Sequence, residues 1–561
     1  MSTFKRPRSN STGTKSVVGR RSIWSPPKFS LRQYSLIVAG LLVFAAGILL
    51  FAATTSPYAS LTADTGTLTS GATKQACSGS SDGNCVMFGG SGGSGDTGAI
   101  NYLVGLSGIH DQYDSCPGTV SGTPPACSPF PQYASWYQQH IYRAIAYESH
   151  FERGNGGLSW LPNTWVYDDS YAIYTGSGEQ TTWIEAHHPS WILRNASGSP
   201  LYINFACSGG ACTQYAGDIG NTQYTNYWLT GCAVGNINNP GNTQNAYNCD
   251  TTAPTSGGVE GGLEATIALG YKGVMVDDVN INMDVSDGNG TAVDPIDTNT
   301  HTAMTPDAWS QYMANFMTAI RKAMPNIEIM HNVPWFKGGG TGTTGCIFIP
   351  ASCGSTTTDQ TALNEEIQSA NWINIERGVV DGGLNCGNTP TCGDWTFSLD
   401  TLFQYVDYVH NKGANVSYES YATDTNSDNF PNSSNAASLT DIEYNLAAYL
   451  LTSNGQDLVG DSGNVPVKTV YNGKTYNTLW SGYARDLGTA SGARSMVNRQ
   501  YYRRDFSNGM VLLNPPPSPN VNGTVTIQLG GTYYEVNSSG NKIAVTSVTL
   551  NSYQGAVLTK H

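Results

Sequence analysis

Charged residues are scarce in this sequence. Asp, Glu, Lys and Arg make up 12 % of its 561 residues, against a usual share of about 25 %. A coiled coil, a long helical array or a nucleic-acid-binding protein needs many more charged side chains, so the composition argues against all three classes. Hydrophobic residues reach 39 % and aromatic residues 11 %, which is enough for a large core and argues against global disorder.

Signatures of metal and cofactor binding are also missing. No CxxC pair occurs and no His lies at ligand spacing from a cysteine couple, so a zinc site is not indicated. His187 and His188 are followed by Pro189, which favours a loop over a metal site. We therefore predict neither a metal nor a cofactor.

The N-terminal segment is the exception to the shortage of charge. Residues 1–34 hold eight Lys and Arg and no acid, and residues 35–53 are uncharged and apolar. Nineteen such residues can cross a bilayer as a helix, and positive residues stay on the cytoplasmic side. We expect a basic cytoplasmic segment, a transmembrane signal anchor over 35–53 and an extracellular remainder at the cell membrane. A cleaved signal peptide, giving a secreted protein, is the alternative.

The cysteine pattern agrees with export. An even count of twelve in an exported chain indicates disulfides, and the Gly, Ser, Asn and Pro around each couple suggest short loop staples. The connectivity stays open at this point. The sequence-adjacent couples are Cys77 and Cys85, Cys116 and Cys127, Cys207 and Cys212, Cys232 and Cys249, Cys346 and Cys353, and Cys386 and Cys392.

The remaining chain divides into three regions that differ in composition and hydrophobic pattern. Residues 54–96 are rich in Ser, Thr and Gly and predict a flexible linker. Residues 97–490 mix apolar runs with helical patterns, beginning with a strand in 99–106, a helix over 132–151 and strands near 164–167 and 201–205. Residues 495–561 contain short β-rich runs between Pro, Gly and Asn clusters, which predict a small antiparallel β-sandwich domain.

A regular series of helices and apolar strands defines the fold class of the middle region. Its strands end at Asp277, Asn332, Glu376, Glu419 and Asp461, at intervals of 55, 44, 43 and 42 residues. Apolar strands that lack alternation, each preceded by a helix, indicate parallel strands covered by helices. Five regular units with room for three irregular ones predict a (β/α)8 TIM barrel in the α/β class. A doubly wound open sheet is the competitor, but it normally carries a Gly-rich phosphate fingerprint that is absent here.

The residues that close these strands are strongly polar. In a barrel of this kind the active site lies at the C-terminal ends of the strands. Carboxylates that converge there push their pKa values apart, and this supplies the acid and the base or nucleophile that glycoside hydrolysis requires. The catalytic candidates are Asp277, Glu376 and Glu419. The substrate-binding candidates are Asp278, His331, Asn332, Trp335, Trp372, Tyr418 and Asp461, because Asn and Asp bind sugar hydroxyls and aromatic rings stack on sugar faces.

Each candidate has a structural alternative. A single strand-end carboxylate is more often a helix cap, an ion-pair partner or a solvated loop residue, and a single Trp is more often core. Asp277 and Asp278 are adjacent, so only one can face the barrel mouth in an ideal strand. We expect Asp277 to be the nucleophile or base and Asp278 to bind substrate or orient a neighbour. Arg377 could equally form an ion pair with Glu376.

Five segments carry a resemblance to known sequences: residues 188–202, 217–228, 270–279, 373–378 and 503–515. They resemble the uncharacterised glycosyl-hydrolase-like TIM-barrel families, particularly hypothetical glycosyl hydrolase family 15. The resemblance implies a catalytic role for Asp277, at the end of strand 4, and an all-β domain after the barrel.

Taken together, the sequence predicts a glycoside hydrolase acting on an extracellular poly- or oligosaccharide. A non-catalytic carbohydrate-binding surface protein with a degenerate barrel is the rival from another class, and a metal-dependent hydrolase is a third option. No nucleic-acid partner is expected, because the membrane segment explains the basic N-terminus. The oligomeric state is not predicted.

Overall fold

The structure is a computed structural model in two compact units, Met1–Gly93 and Ser94–His561. It describes residues 72–76, 84–88, 98, 100–104, 140–146, 163–175, 179–208, 211–231, 262–268, 270–333, 356–376, 379, 399–420, 439–461, 467–471, 474–478, 480–515 and 523–561.

The described strands and helices are numbered in chain order. The first strands are β1 (Ala72–Ala76), β2 (Asn84–Phe88), β3 (Tyr102–Val104), β4 (Arg143–Ala146), β5 (Thr164–Asp169), β6 (Ala172–Tyr174), β7 (Tyr202–Ile203), β8 (Cys207–Ser208), β9 (Ala211–Cys212) and β10 (Gln214–Ala216). They are followed by β11 (Gly273–Asp277), β12 (Val285–Ser286), β13 (Glu328–Asn332), β14 (Trp372–Glu376), β15 (Asn415–Ser420) and β16 (Leu458–Asp461). The last are β17 (Val467–Tyr471), β18 (Lys474–Thr478), β19 (Ser495–Val497), β20 (Tyr501–Phe506), β21 (Gly509–Asn514), β22 (Thr524–Val536), β23 (Lys542–Asn551) and β24 (Gln554–Thr559). The helices are α1 (Glu179–His187), α2 (Thr222–Thr230), α3 (Gly262–Ala268), α4 (Pro306–Ala323), α5 (Thr357–Ser369), α6 (Leu399–Asn411) and α7 (Leu439–Thr452).

The first unit contains an antiparallel hairpin. Strands β1 and β2 pair from Ala72 opposite Phe88 to Ala76 opposite Asn84. Both strands fall within residues 54–96, which the sequence predicts to be a linker.

The second unit is built on a closed barrel. Its strand order is β11, β13, β14, β15, β16, β3, β4, β5, and all neighbouring strands are parallel. The barrel of eight parallel strands predicted from the sequence is therefore confirmed, and the open doubly wound sheet is wrong. Strands β11, β13, β14 and β16 end at the predicted residues, and β15 runs one residue past Glu419.

Two predicted elements in the irregular first part are wrong. The helix expected over 132–151 does not extend through Arg143–Ala146, which is β4 and lies buried between β3 and β5. The strand expected near 201–205 shrinks to Tyr202–Ile203 and belongs to a separate four-stranded sheet with order β12, β7, β10, β6. Burial within the barrel overrides the helical pattern of the first segment, and a strand of four residues is too short to show a period of its own.

The lower interior of the barrel is closed by alternate residues of its strands. Successive side chains of a strand point to opposite faces, so every second residue enters the barrel. The buried apolar cluster inside consists of Leu103, Ile145, Trp165, Met275, Met330, Trp372 and Leu458. Arg143 forms a bidentate ion pair with Glu328 among them, with N–O distances of 2.6 and 2.7 Å. Among the described residues, this apolar layer fills the interior below the C-terminal ends of the strands.

Local sequence explains how the helices on the outer side begin. Thr305 caps α4 by accepting the Ala308 N–H, and Pro306 occupies the first turn. Thr356 and Asp359 form a reciprocal capping box at α5. The apolar face of α4 is buried and consists of Trp309, Met313, Phe316, Met317 and Ile320. Ser438, which has the spacing of a capping box with Asp441 at the start of α7, lies outside the described residues.

The C-terminal region forms one six-stranded antiparallel sheet with order β19, β20, β21, β24, β22, β23. The predicted sandwich of two sheets is therefore corrected to a single sheet. Strand β22 is continuous across Gly530 and Gly531, where its pairing with β23 shifts register. This irregularity lets the sheet fold over its own apolar cluster, which includes Met510, Ile527 and Leu558.

The sheet is fastened to the last barrel helix. The Arg504 guanidinium donates to the carbonyl oxygens of Leu450 and Ser453 at 3.0 and 2.9 Å. Arg485 forms an ion pair of 3.0 Å with Glu443 of α7. Both arginines are buried, so the contact is part of the core rather than a loose linkage.

None of the helices in the described parts of the chain is long and apolar enough to cross a membrane. The basic segment and the anchor predicted over 1–34 and 35–53 lie outside the described residues.

Candidate functional site

Polar residues meet at the C-terminal ends of five adjacent barrel strands. Strands β5, β11, β13, β14 and β15 bring Asp169, Asp277, Asn332, Glu376 and Glu419 to the same end of the barrel. Asp277 lies opposite Asp169 in the strand register, and Glu376 lies opposite Glu419. The sequence predicted four of these five residues.

Asp277 accepts three hydrogen bonds. The Tyr167 hydroxyl donates to its Oδ2 at 2.7 Å, and the Asn332 amide and the Asp278 backbone N–H donate to its Oδ1 at 2.7 and 2.9 Å. Burial raises the pKa of Asp277, and the charge of Glu376 adds to this, whereas the bonds from Tyr167 and Asn332 oppose the rise. Three donors suit the ionised form, since a carboxylate can only accept.

Glu376 lies beside Asp277 and is exposed at the barrel mouth. The Asn332 Nδ2 atom donates to Glu376 Oε2 at 2.9 Å as well as to Asp277 Oδ1 at 2.7 Å. The two oxygens can be no farther apart than these bonds laid end to end, about 5.6 Å. The site therefore contains a closely spaced carboxyl pair with one half-buried and one exposed member.

Glu419 is the third carboxylate of the site and is 7 % exposed. The Asn374 Nδ2 atom donates to its Oε2 at 2.7 Å and approaches Asn332 Oδ1 at 3.4 Å. Glu419 is thus tied to the pair of Asp277 and Glu376 through two asparagine amides. It lies deeper than Glu376, whose side chain is exposed.

Asp278 turns away from the ideal strand path. Its φ of 54° is left-handed, which is uncommon for a residue with a side chain. Its carboxyl forms a hydrogen bond with that of Asp169, which also accepts the N–H groups of Tyr171 and Ala172 at 3.1 and 2.9 Å. Burial raises the pKa of Asp278 to about 10, and the charges of Asp169 and Asp277 add to the rise. Burial and the charge of Asp277 raise the pKa of Asp169, whereas its hydrogen bond with Asp278 lowers it. The pair therefore holds a proton.

Sequence reasoning missed Tyr167 and Asp169. The signal was present in β5, where a period of two places Trp165, Tyr167 and Asp169 on the inner face. The Trp228 indole N–H donates to the Asp169 backbone oxygen at 3.0 Å and supports the end of β5 from outside the site.

Two predicted substrate-binding residues lie on the outer side of the barrel. His331 is fully buried near Arg321 and Glu366, and burial together with the Arg321 charge lowers its pKa to about 3. Tyr418 is fully buried, and its hydroxyl shares a hydrogen bond of 2.8 Å with Thr452 of α7. The structure does not bring either side chain to the site, because the residue next to an inward-facing one points outward.

Trp372 lies inside the barrel but at the opposite end from the mouth. It begins β14, and four steps of about 3.3 Å along the strand separate it from Glu376. Its indole N–H donates to the Gln456 backbone oxygen at 3.0 Å, and its ring lies 5.1 Å from that of Trp165. We therefore correct its assignment from substrate binding to packing of the barrel floor.

The other predicted residues are placed less fully. Asp461 ends β16, where its backbone is paired with Ser420 and Val104. Trp335 and Arg377 lie outside the described residues. No group of three or more His, Cys, Asp or Glu within the described part of the chain is arranged to hold a metal ion.

One predicted cysteine couple is joined. Cys207 and Cys212 form a disulfide across the short hairpin of β8 and β9, which confirms this couple as a loop staple. The side chains of the other ten cysteines lie outside the described residues.

Comparison with known proteins gives distant structural likeness only. No family model matches the chain and no curated protein matches it. The glycoside hydrolase domain of PelA from Pseudomonas aeruginosa is similar with a TM-score of 0.30 and 10 % identity, over 64 % of this chain and 94 % of that one. An α-amylase from Malbranchea cinnamomea is similar with a TM-score of 0.36 and 10 % identity, over 82 % of this chain and 96 % of that one. An isomalto-dextranase from Arthrobacter globiformis T6 is similar with a TM-score of 0.38 and 10 % identity, over 83 % of this chain and 74 % of that one.

Proposed function

We propose that this protein is a retaining glycoside hydrolase in which Asp277 is the nucleophile and Glu376 is the general acid and base. The observation that carries the proposal is the bridge from Asn332 Nδ2 to both carboxylates. It limits their nearest oxygens to about 5.6 Å. Retaining glycosidases have carboxyl groups about 5 to 5.5 Å apart, whereas inverting enzymes need about 6.5 to 9.5 Å to admit a water molecule.

The two roles follow from the hydrogen bonds and the exposure. Asp277 receives three donors and is enclosed, which suits an anion that attacks an anomeric carbon. Glu376 is exposed at the mouth, where a general acid and base must reach the leaving group and then a water molecule. Glu419 is buried behind them, and we keep it as the reserve candidate for the acid.

The reaction has two balanced steps. Asp277 attacks the anomeric carbon while Glu376 gives its proton to the glycosidic oxygen, so that the leaving sugar departs as an alcohol. Glu376, now ionised, takes a proton from water as the water oxygen attacks the same carbon and releases Asp277. Two inversions restore the starting anomeric configuration.

We further propose that the substrate is an extracellular poly- or oligosaccharide. The basic segment followed by an apolar stretch over 35–53 favours export, either anchored in the cell membrane or secreted. The disulfide between Cys207 and Cys212 is consistent with an oxidising compartment. Membership of hypothetical glycosyl hydrolase family 15 remains a proposal that rests on the five segments.

The test is hydrolysis of a panel of polysaccharides and 4-nitrophenyl glycosides by the wild-type protein and by Asp277→Asn. We expect the wild-type protein to release reducing ends or nitrophenol from at least one substrate and the variant to lose this activity. Asp287→Asn is the matched control, because Asp287 lies in an exposed turn outside the site.

Two results would contradict the proposal. Full activity of Asp277→Asn would remove that residue from the mechanism. Binding of a glycan by the wild-type protein without any release of reducing ends would instead favour the non-catalytic carbohydrate-binding protein.

A further inference from the structure

Asn332 uses both of its amide donors inside the protein. An asparagine amide has two N–H donors, and here one reaches Asp277 and the other reaches Glu376. Its Oδ1 atom faces the Asn374 amide at 3.4 Å. The residue is 9 % exposed, so a sugar hydroxyl could accept from its amide only by displacing one of the two carboxylates.

The backbone of Asn332 is fixed in the same way. Its carbonyl oxygen accepts the Val279 N–H at 3.1 Å, which ties the turn after Asp278 to the end of β13. Main chain and side chain of one residue therefore hold the ends of β11 and β14 at a set distance on either side of β13. A rigid strand end is a better support for a reacting group than a loop.

The same bonds select one oxygen of Asp277 for attack. Each carboxylate oxygen has about two lone-pair sites. Oδ1 accepts from both Asn332 and Asp278 and is full, whereas Oδ2 accepts only from the Tyr167 hydroxyl among the bonds within the described residues. The oxygen that Asn332 binds is the anchored one, and Oδ2 keeps an acceptor site beyond its bond from Tyr167.

From this geometry we infer that Asn332 is a positioning residue that sets the spacing of Asp277 and Glu376 and leaves Asp277 Oδ2 as the attacking atom. The sequence assigned Asn332 to substrate binding. The inference rests on the proposed function, since the spacing matters only if the two carboxylates react with one substrate.

The test uses Asn332→Asp, which keeps the shape and removes both donors, and Asn332→Ala, which removes the group. Kinetics are measured from pH 4 to pH 9 with the 4-nitrophenyl glycoside that the wild-type protein cleaves fastest. We expect kcat to fall about 100-fold in both variants, because a small misplacement of reacting groups costs about that factor. We expect KM to stay within about threefold, since the residue does not hold the sugar.

The pH profile separates positioning from mere structural support. Loss of the donor to Asp277 raises the pKa of that carboxyl. The acidic limb of the kcat/KM profile should therefore shift to higher pH by about one unit. The shift should be larger in Asn332→Asp than in Asn332→Ala, because the aspartate adds a negative charge. Asn371→Asp is the matched control, because Asn371 lies at the opposite end of β14, where its Oδ1 accepts from Arg321. The pH profile of this variant should match that of the wild-type protein.

The outcomes distinguish the inference from the proposed function. A raised KM with unchanged kcat would show that Asn332 binds substrate and would overturn the positioning role alone. An unchanged kcat together with an acidic limb at the wild-type pH would also overturn the positioning role alone. A wild-type protein that is inactive on the whole panel would overturn the proposed function and, with it, the role of Asn332. Should Asn332→Asp fail to fold, Asn332→Ala carries the same test.

Discussion

Replacing Asp278 by Asn should remove a pH dependence of stability that is built into the site. Asp169 is buried, Asp278 is half-buried and the two share a hydrogen bond, so the folded protein keeps a proton that the unfolded chain releases near the ordinary aspartate pKa of 3.8. Because the folded state binds the extra proton, the free energy of unfolding falls as the pH rises above about 4. The loss continues until the pH passes the raised pKa of the pair.

The size of this effect follows from one bound proton. Its contribution to the free energy of unfolding changes by about 1.4 kcal/mol per pH unit within that window. Between pH 5 and pH 7 this amounts to about 2.7 kcal/mol as an upper bound, since Asp278 is partly exposed. In Asp278→Asn an amide N–H can donate to Asp169 without binding a proton, so the part of the dependence that Asp278 contributes should be absent, whereas the raised pKa of Asp169 keeps its own part.

Urea unfolding at several pH values between 5 and 9 measures the difference between the wild-type protein and Asp278→Asn. We expect the variant to gain stability relative to the wild type as the pH rises. Asp287→Asn is the control, because the pKa of exposed Asp287 is lowered and it binds no proton in this range. Curves for wild type and Asp278→Asn that stay parallel from pH 5 to pH 9 would refute the shared proton.

Three further variants test other parts of the structure. Tyr167→Phe removes a donor to Asp277, so the acidic limb of kcat/KM should rise by about one pH unit; an unmoved limb would contradict the bond. Tyr418→Phe should cost about 1 kcal/mol of stability in urea and leave KM unchanged, because the hydroxyl bonds within the core; a raised KM would return Tyr418 to the site. Replacing Cys207 and Cys212 by Ala should lower the free energy of unfolding by about 2 kcal/mol, since the closed loop is short, and no change would argue against the disulfide.

The sequence predicts the regular half of the barrel well because its signals are local. Thr305 and Pro306 mark the start of α4, and the polar residue after each apolar run marks where β11, β13 and β14 end. Strand β3 lies within the strand predicted in 99–106 and β5 overlaps the one predicted near 164–167, whereas β4, with four residues, escapes prediction. Its pairing with distant strands, which no local pattern records, decides its structure.

The sequence predicted correctly that the site lies at the C-terminal ends of the strands, but it did not separate the side chains that point into the barrel from those that point outward. Applying a period of two from Asn332 excludes His331, and applying it from Glu419 excludes Tyr418. The same rule along β5 points to Asp169. The left-handed backbone of Asp278 has no signature in the sequence, whereas its carboxyl meets Asp169 at the end of the neighbouring strand β5.

The anomeric configuration of the first product tests the central claim most directly. Proton NMR of a 4-nitrophenyl glycoside or oligosaccharide during its hydrolysis distinguishes the two anomers before they equilibrate. A carboxyl pair whose nearest oxygens lie within about 5.6 Å of each other predicts a product with the configuration of the substrate. A first product of inverted configuration would contradict the assignment of Asp277 as nucleophile.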